Sequence, residues 1–196
     1  SQTYQMDSKN DSDKIKKDPE NIFLWKQNSR RLDAEAIRDT ILYISGNLQT
    51  SEGGPSIKPG TKTEYGYVFK SSKRSVYNPV FRNTLPEIMQ VFDFADPNMV
   101  TGKRTSSSVP TQALYMLNNS FIRDNSMNAA KKLILDNNTD NSSKIDNAYK
   151  KVLGRMASPN ERQIIQDYLT SQGDELKAWG NVFQSLFSSI DFRFVN

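Results

Sequence analysis

The residues best suited to chemistry begin with a charged cluster at positions 30–39. This cluster contains Arg30, Arg31, Glu35, Arg38 and Asp39. If the segment is helical, Arg31, Glu35 and Arg38 lie on one face at i, i+4 and i+7, where they can form a ladder of ion pairs. Two guanidinium groups held side by side also bind a carboxylate, sulfate or phosphate. The cluster therefore indicates either a structural salt-bridge network, which is the commoner outcome, or an anion site.

A second polar cluster lies between residues 93 and 112. Its Asp96-Pro97-Asn98 sequence is typical of a turn, and the stretch up to Pro110 leads into a predicted helix. Free backbone amides at that helix N-terminus, with Arg104 close in sequence, suit an anion. Alternatively, Arg104 pairs with Asp93 or Asp96 and only fixes the loop. Asp93, Asp96, Lys103, Arg104, Thr111 and Gln112 make up this cluster.

Basic and aromatic residues alternate between positions 58 and 82. Such a mixture binds single-stranded nucleic acid or anionic glycans through stacking and charge. The more common explanation is a solvated segment whose aromatic side chains cover the core. No nucleic-acid-binding signature supports the first interpretation, so we expect no nucleic-acid partner. The residues are Lys58, Lys62, Tyr65, Tyr67, Phe69, Lys70, Lys73, Arg74, Tyr77, Phe81 and Arg82.

Several chemistries are excluded by composition, because the sequence contains no cysteine and no histidine. A thiolate nucleophile, a Ser-His-Asp triad, a structural zinc site and covalent c-type haem attachment all need one or both of these residues. Residues 136–141 resemble the start of a calcium-binding loop, but position 6 of the pattern is Asn141 instead of glycine and position 12 is Asn147 instead of glutamate. We therefore expect no metal site and no cofactor in this domain.

The elements that would position these residues are mainly helical. Hydrophobic residues make up 36% and charged residues 24% of the 196 residues, which allows one ordinary core plus polar segments. The net charge of +4 favours anionic partners. No apolar run approaches the roughly 20 residues of a membrane span. The first residues include neither an initiator Met nor a signal-peptide pattern, which is typical of a fragment or a processed product.

Residues 1–17 are polar and predict a flexible arm or linker, and residues 18–196 predict a single helical domain. Asp18-Pro19-Glu20 predicts a helix start ahead of an apolar anchor at residues 22–25. Apolar residues at helical spacing predict a helix from Leu32 to Leu48. Alternating aromatics within residues 59–83 predict a short β-hairpin or an extended insertion. The fold class is therefore a mainly α helical bundle with such an insertion in the middle.

Helices are also predicted in the second half of the chain. One of these begins at Ser158-Pro159-Asn160-Glu161, a capping box with Pro at the first helical position, and runs to Leu169. The others are predicted to follow Pro86 and Pro110 and to cover residues 121–135, 145–153 and 178–190.

Five stretches together make the sequence similar to a known family. They cover residues 30–48 (RRLDAEAIRDTILYISGNL), 53–56, 74–119, 149–155 (YKKVLGR) and 178–195 (AWGNVFQSLFSSIDFRFV). Over residues 18–196 the chain resembles the C-terminal domain of unknown function of the planctomycetal cytochrome c domain proteins. Its recurrent polar positions match Arg30, Arg31, Glu35, Arg38, Asp96, Arg104 and Gln112. Relatives tend to end in an Asn-x-Glu-Phe-like run, where this chain has Asp191-Phe192.

The resemblance implies export to the periplasm or the extracellular space, in a large polypeptide with other domains as partners. It supplies no reaction. We therefore expect an accessory or scaffold domain that docks a sister domain or an anionic ligand through Arg30, Arg31, Arg38, Arg104 and Gln112. The alternative is part of an enzyme acting on an anionic, sulfated or uronate polysaccharide. Its acid or base would be Glu35, Asp96 or Asp191, with Arg38 and Arg104 as charge clamps.

Overall fold

The computed structural model describes residues 5–50, 53–57, 59–135 and 140–195. Within these ranges the chain forms eight α-helices and one two-stranded antiparallel sheet, which confirms the mainly α class. None of the described helices has both the length and the apolar character needed to cross a bilayer. The helices are α1 (Ser12–Lys17), α2 (Ala34–Ser45), α3 (Glu87–Val91), α4 (Pro110–Asn118), α5 (Ser120–Ile134), α6 (Asn141–Leu153), α7 (Pro159–Ser171) and α8 (Glu175–Ser188).

The centre of the core is the packing of α8 against α5. In α8, Trp179, Phe183 and Phe187 recur at four-residue steps and are buried, so one face of the helix is apolar. Gly180 lets the two helices approach closely, because a Cβ atom at this position would lie 2.3 Å from the Met127 sulfur on α5. Other helices, including α2, α4 and α6, pack around this central pair.

The sheet joins the two ends of the domain. Strand β1 (Arg30–Arg31) pairs antiparallel with β2 (Phe194–Val195), with Arg31 opposite Phe194. The amide of Leu32 extends this pairing by donating to the carbonyl oxygen of Arg193 at 2.8 Å. The charged cluster near residue 30 is thereby fixed to the C-terminal segment, a contact that the sequence did not predict.

The predicted helix start at residues 18–20 is wrong. Helix α1 ends at Lys17, inside the segment predicted as an arm, and Asp18 caps its C-terminus. The buried Asp18 carboxylate accepts hydrogen bonds from the amides of Ile22 (2.9 Å) and Phe23 (2.8 Å), which stabilises a turn instead of a helix. Ile22, Phe23 and Leu24 are 70%, 85% and 50% exposed, so three of the four residues of the predicted apolar anchor face solvent. The domain boundary at residue 17 stays a prediction.

Helix α2 is shorter than the predicted Leu32–Leu48 element. It ends at Ser45 because Gly46 adopts a left-handed conformation (φ 80°), which closes the helix as a C-terminal cap. The capping box of α7 is confirmed: the Ser158 hydroxyl accepts from the Glu161 amide at 3.3 Å, and the Glu161 carboxylate accepts from the Ser158 amide at 2.8 Å.

The middle insertion is extended and contains no hairpin within its described residues. It contains one short 3-10 helix, Ser75–Tyr77. One of its contacts with the rest of the chain is a parallel β-bridge between Gln49 and Lys73. The rings of Tyr67, Phe69 and Phe81 pack on one another, with centroids 5.0–6.0 Å apart. These three aromatics therefore stabilise the insertion. Lys58, the first residue of the basic-aromatic pattern, lies outside the described residues.

Candidate functional site

An open groove of about 760 Å³ lies between α2 and residues 74–86. One wall of this groove is a face of α2 on which Glu35, Asp39 and Tyr43 follow at four-residue steps. The opposite wall is the extended segment that begins at Arg74, and Phe94 and Arg104 complete the lining. Two of the predicted site residues, Glu35 and Arg104, are brought together here.

Arg104 bridges the groove lining by binding Glu35. Its Nη1 donates to both Glu35 carboxylate oxygens at 2.8 and 2.9 Å, and its guanidinium lies 4.9 Å from the centre of the Phe94 ring. The predicted pairing of Arg104 with Asp93 or Asp96 is therefore wrong. Asp96 instead sits in an exposed turn, where its Oδ1 accepts from the Asn98 amide at 2.8 Å.

A buried clamp around Arg38 holds the second wall of the groove. Arg38 Nη1 donates to Asp39 (3.1 Å) and to the Lys73 carbonyl (3.0 Å), and Nη2 donates to the Ser71 carbonyl. Asp39 in turn accepts from the amide and the hydroxyl of Ser75 at 2.9 and 2.7 Å. Burial lowers the pKa of Arg38, and Asp39 opposes that effect. These bonds fix residues 71–75 to α2.

A second clamp forms around Arg31 and Asp93. Arg31 Nη1 donates to Asp93 Oδ2 at 2.7 Å and to the Ser107 carbonyl, and Nη2 donates to the Phe92 carbonyl at 3.3 Å. Burial favours a higher pKa for Asp93, but hydrogen bonds from the Ser107 amide and from Arg31 outweigh it, so the pKa is lowered. Because Arg31 precedes α2 and pairs here, the predicted Arg31–Glu35–Arg38 ladder is wrong.

Gln112 extends the second clamp into the core. Its side chain is fully buried, its Nε2 donates to the Val91 carbonyl at 3.1 Å, and its Oε1 accepts from Arg193 Nη1 at 3.4 Å. Sequence reasoning missed Arg193, which carried no pattern of its own near the C-terminus. Both polar atoms of the Gln112 side chain are therefore hydrogen-bonded to other groups of the protein.

The remaining predicted residues lie apart from the groove's Glu35–Arg104 pair. The Arg30 side chain is 81% exposed beside Asp33, at a nitrogen–oxygen distance of 3.7 Å. Asp191 lines a different cavity, where it binds Arg155. The ligand-binding and catalytic roles of these residues stay predictions.

Sequence reasoning missed several groove residues. Tyr43, Val76 and Val80 line the groove with large exposed fractions. Arg74, which the sequence analysis placed only in the basic-aromatic pattern, also lines the groove and is exposed, and its side chain forms no ion pair with a described residue. Tyr43 could have been found from its spacing, because it follows Asp39 by four residues and so lies on the same face of α2. Val76 and Val80 carried no such signal, because their placement depends on the Arg38 clamp.

The candidate metal ligands are the loop before α6 and the acidic residues of the described part of the chain. There, no group of three or more acidic side chains is arranged to hold a metal ion. Of the partial calcium-loop pattern, residues 136–139 lie outside the described residues, and Asp140 caps the N-terminus of α6 by accepting from the Ser143 amide at 3.2 Å.

Comparison with known proteins gave one match. The family model described as "PSD1: Protein of unknown function (DUF1553)" matches residues 1–169. No curated protein and no solved structure matches the chain significantly.

Proposed function

The chain belongs to the PSD1 family of proteins of unknown function (DUF1553), and we propose that it is an accessory or scaffold domain. In this proposal the groove between α2 and residues 74–86 docks a neighbouring domain of the same polypeptide. The observation that carries the proposal is the exposed apolar character of both groove walls.

Apolar side chains on both walls face solvent. Tyr43 on α2 is 70% exposed, and Val76 and Val80 on the opposite wall are 74% and 50% exposed. Exposed apolar side chains gathered around one groove support its assignment as a surface that another molecule covers. A tyrosine beside aliphatic residues is also a typical composition for the centre of an interface.

The charges of the groove define the partner further. Glu35 and Asp39 are already paired, with Arg104 and with Arg38 and Ser75 respectively. Arg74 lines the opposite wall, is exposed and forms no ion pair with a described residue. Its guanidinium can therefore bind a carboxylate of the partner. The partner surface is therefore apolar with an acidic group at its edge. In this way the docked sister domain itself supplies the anion that Arg74 binds.

The wider context is part of the proposal. The resemblance of residues 30–48 and 74–119 to C-terminal domains of cytochrome-c-associated proteins supports an exported, multidomain polypeptide. The domain itself would act without a cofactor, and its partners would be the other domains of that polypeptide.

The alternative is an enzymatic role on an anionic polysaccharide, and the geometry favours docking over it. Acid–base cleavage of a glycosidic bond uses two carboxyl groups that flank one bond. The three candidates instead lie in three places: Glu35 in the groove, Asp96 in an exposed turn and Asp191 in another cavity. Both oxygens of Glu35 are also occupied by Arg104.

Val76→Asp tests the docking proposal. We expect it to weaken binding of the chain to the separately produced remainder of its polypeptide at least tenfold, because a buried carboxylate would lack a partner in the interface. Isothermal titration calorimetry gives the dissociation constant.

The matched control for this test is Val100→Asp. Val100 is fully exposed and lies outside the groove, so its substitution should leave the affinity unchanged. Equal affinities for the wild type and both variants would contradict docking in the groove.

A further inference from the structure

A second cavity, separate from the groove, lies between α6, α7 and α8. Its volume is about 490 Å³, within the roughly 300–1,000 Å³ typical of small-molecule sites. Val182 and Leu186 of α8 contribute apolar side chains, together with Tyr149 of α6 and Tyr168 of α7. No residue of this lining belongs to the groove.

Incomplete packing of α7 accounts for the cavity. This helix has 13 residues and a complete capping box, yet none of its residues is buried. Its Ile164 lines the cavity and is 59% exposed. On the α8 side, Val182 and Leu186 line the cavity with only 5% and 6% of their surface exposed, so the open apolar surface lies mainly at Ile164. A ligand that filled the space would bury Ile164 of α7 and pack against Val182 and Leu186 of α8.

The polar end of the cavity carries excess negative charge. Arg155 donates to both oxygens of Glu161 at 2.8 Å and to Asp191 Oδ2 at 2.9 Å. One guanidinium thus faces two carboxylates, and Arg155 is the only cation among the described lining residues. The Arg155 hydrogen bonds lower the pKa of Glu161 to about 2, which keeps that carboxylate ionised at neutral pH.

The groups at this end define the ligand chemistry. Asp191 uses Oδ2 for Arg155, and its side chain is 50% exposed, so it can accept a further donor. The ring of Tyr168 borders the same cavity, with its hydroxyl oxygen fixed by a 2.8 Å bond from Asn181 Nδ2. An ammonium group is attracted both by a carboxylate and by the face of an aromatic ring.

We propose that the cavity between α6, α7 and α8 binds a small organic amine with an apolar body. The ammonium group lies at Asp191, and the apolar body packs against Val182, Leu186 and Ile164. This site is independent of the docking proposed for the groove, since the two share no residue.

Three probes with the same apolar body test this site: 4-phenylbutylamine, 4-phenylbutanol and 4-phenylbutyrate. Methyl chemical shifts of Val182 and Leu186, followed by NMR titration of the whole chain, should show that the amine binds most tightly, the alcohol more weakly and the carboxylate least. Asp191→Asn should weaken amine binding about two- to fivefold and leave alcohol binding unchanged.

A second variant separates the ligand site from an effect on folding. Ile164→Ser should weaken both the amine and the alcohol, whereas Ile190→Ser, at a similarly exposed position outside the cavity, should weaken neither. Circular dichroism confirms that each variant is folded. The inference is overturned if no probe binds saturably, if the three probes bind alike, or if Asp191→Asn weakens the amine and the alcohol equally.

Discussion

Asp93→Asn should lower the free energy of unfolding by about 3 kcal/mol. Asparagine keeps the size of the side chain and tolerates the left-handed backbone of this residue (φ 58°), so the substitution removes mainly the charge. Arg31, whose side chain is 8% exposed, would then be a buried cation without its carboxylate. Urea unfolding followed by tryptophan fluorescence measures the loss, because Trp179 is buried in the folded chain.

Asp96→Asn is the control for Asp93→Asn. Asp96 is close in sequence, but its carboxylate accepts hydrogen bonds from Asn98 within an exposed turn. We expect a change below about 1 kcal/mol, as for most surface substitutions. If the two variants unfolded at the same urea concentration, the Arg31–Asp93 clamp would not be a major source of stability.

Arg38→Ala should also destabilise the domain by about 3 kcal/mol, and it should loosen one groove wall. The variant leaves Asp39 and the carbonyls of Ser71 and Lys73 without their guanidinium donor. Amides of residues 71–76 should therefore exchange with deuterium faster than in the wild type, because the contacts that hold this segment to α2 are lost. Hydrogen exchange with mass spectrometry measures this change alongside urea unfolding.

Arg30→Ala provides the contrast for Arg38→Ala. Both arginines belong to the same charged cluster in the sequence, but Arg30 is largely exposed and only near Asp33. We expect its removal to change stability by less than about 0.5 kcal/mol and to leave the exchange of residues 71–76 unchanged. Similar losses of stability in the two variants would show that Arg38 is not a clamp.

The parts of the fold that depend on local sequence could be predicted. Ser158 and Glu161 are three residues apart, and their capping box needs nothing beyond the first turn of α7. The apolar spacing of Trp179, Phe183 and Phe187 likewise predicts which face of α8 is buried. Asp18 shows the limit of local reasoning, because its carboxylate could cap a helix or bind the amides of a turn, and the structure has the turn.

The partners of the charged residues could not be predicted, because they are distant in sequence. Arg31 binds Asp93 across 62 residues, and Arg104 binds Glu35 across 69. Sequence spacing favoured pairs within one helix or one loop, and nothing local distinguishes Glu35 from Asp96 as the partner of Arg104. The strand pairing of Arg31 with Phe194, which helps to position Arg31, is equally non-local.

On the proposal that the chain is part of a longer polypeptide, hydrogen exchange of residues 74–80 in that polypeptide, compared with the 196-residue chain alone, tests the docking claim most directly. If a neighbouring domain covers the groove, amides around Val76 and Val80 should exchange more slowly in the complete polypeptide, while those around the exposed Val100 should exchange at the same rate in both. Identical exchange of residues 74–80 in the two samples would contradict the assignment of the groove as a docking surface.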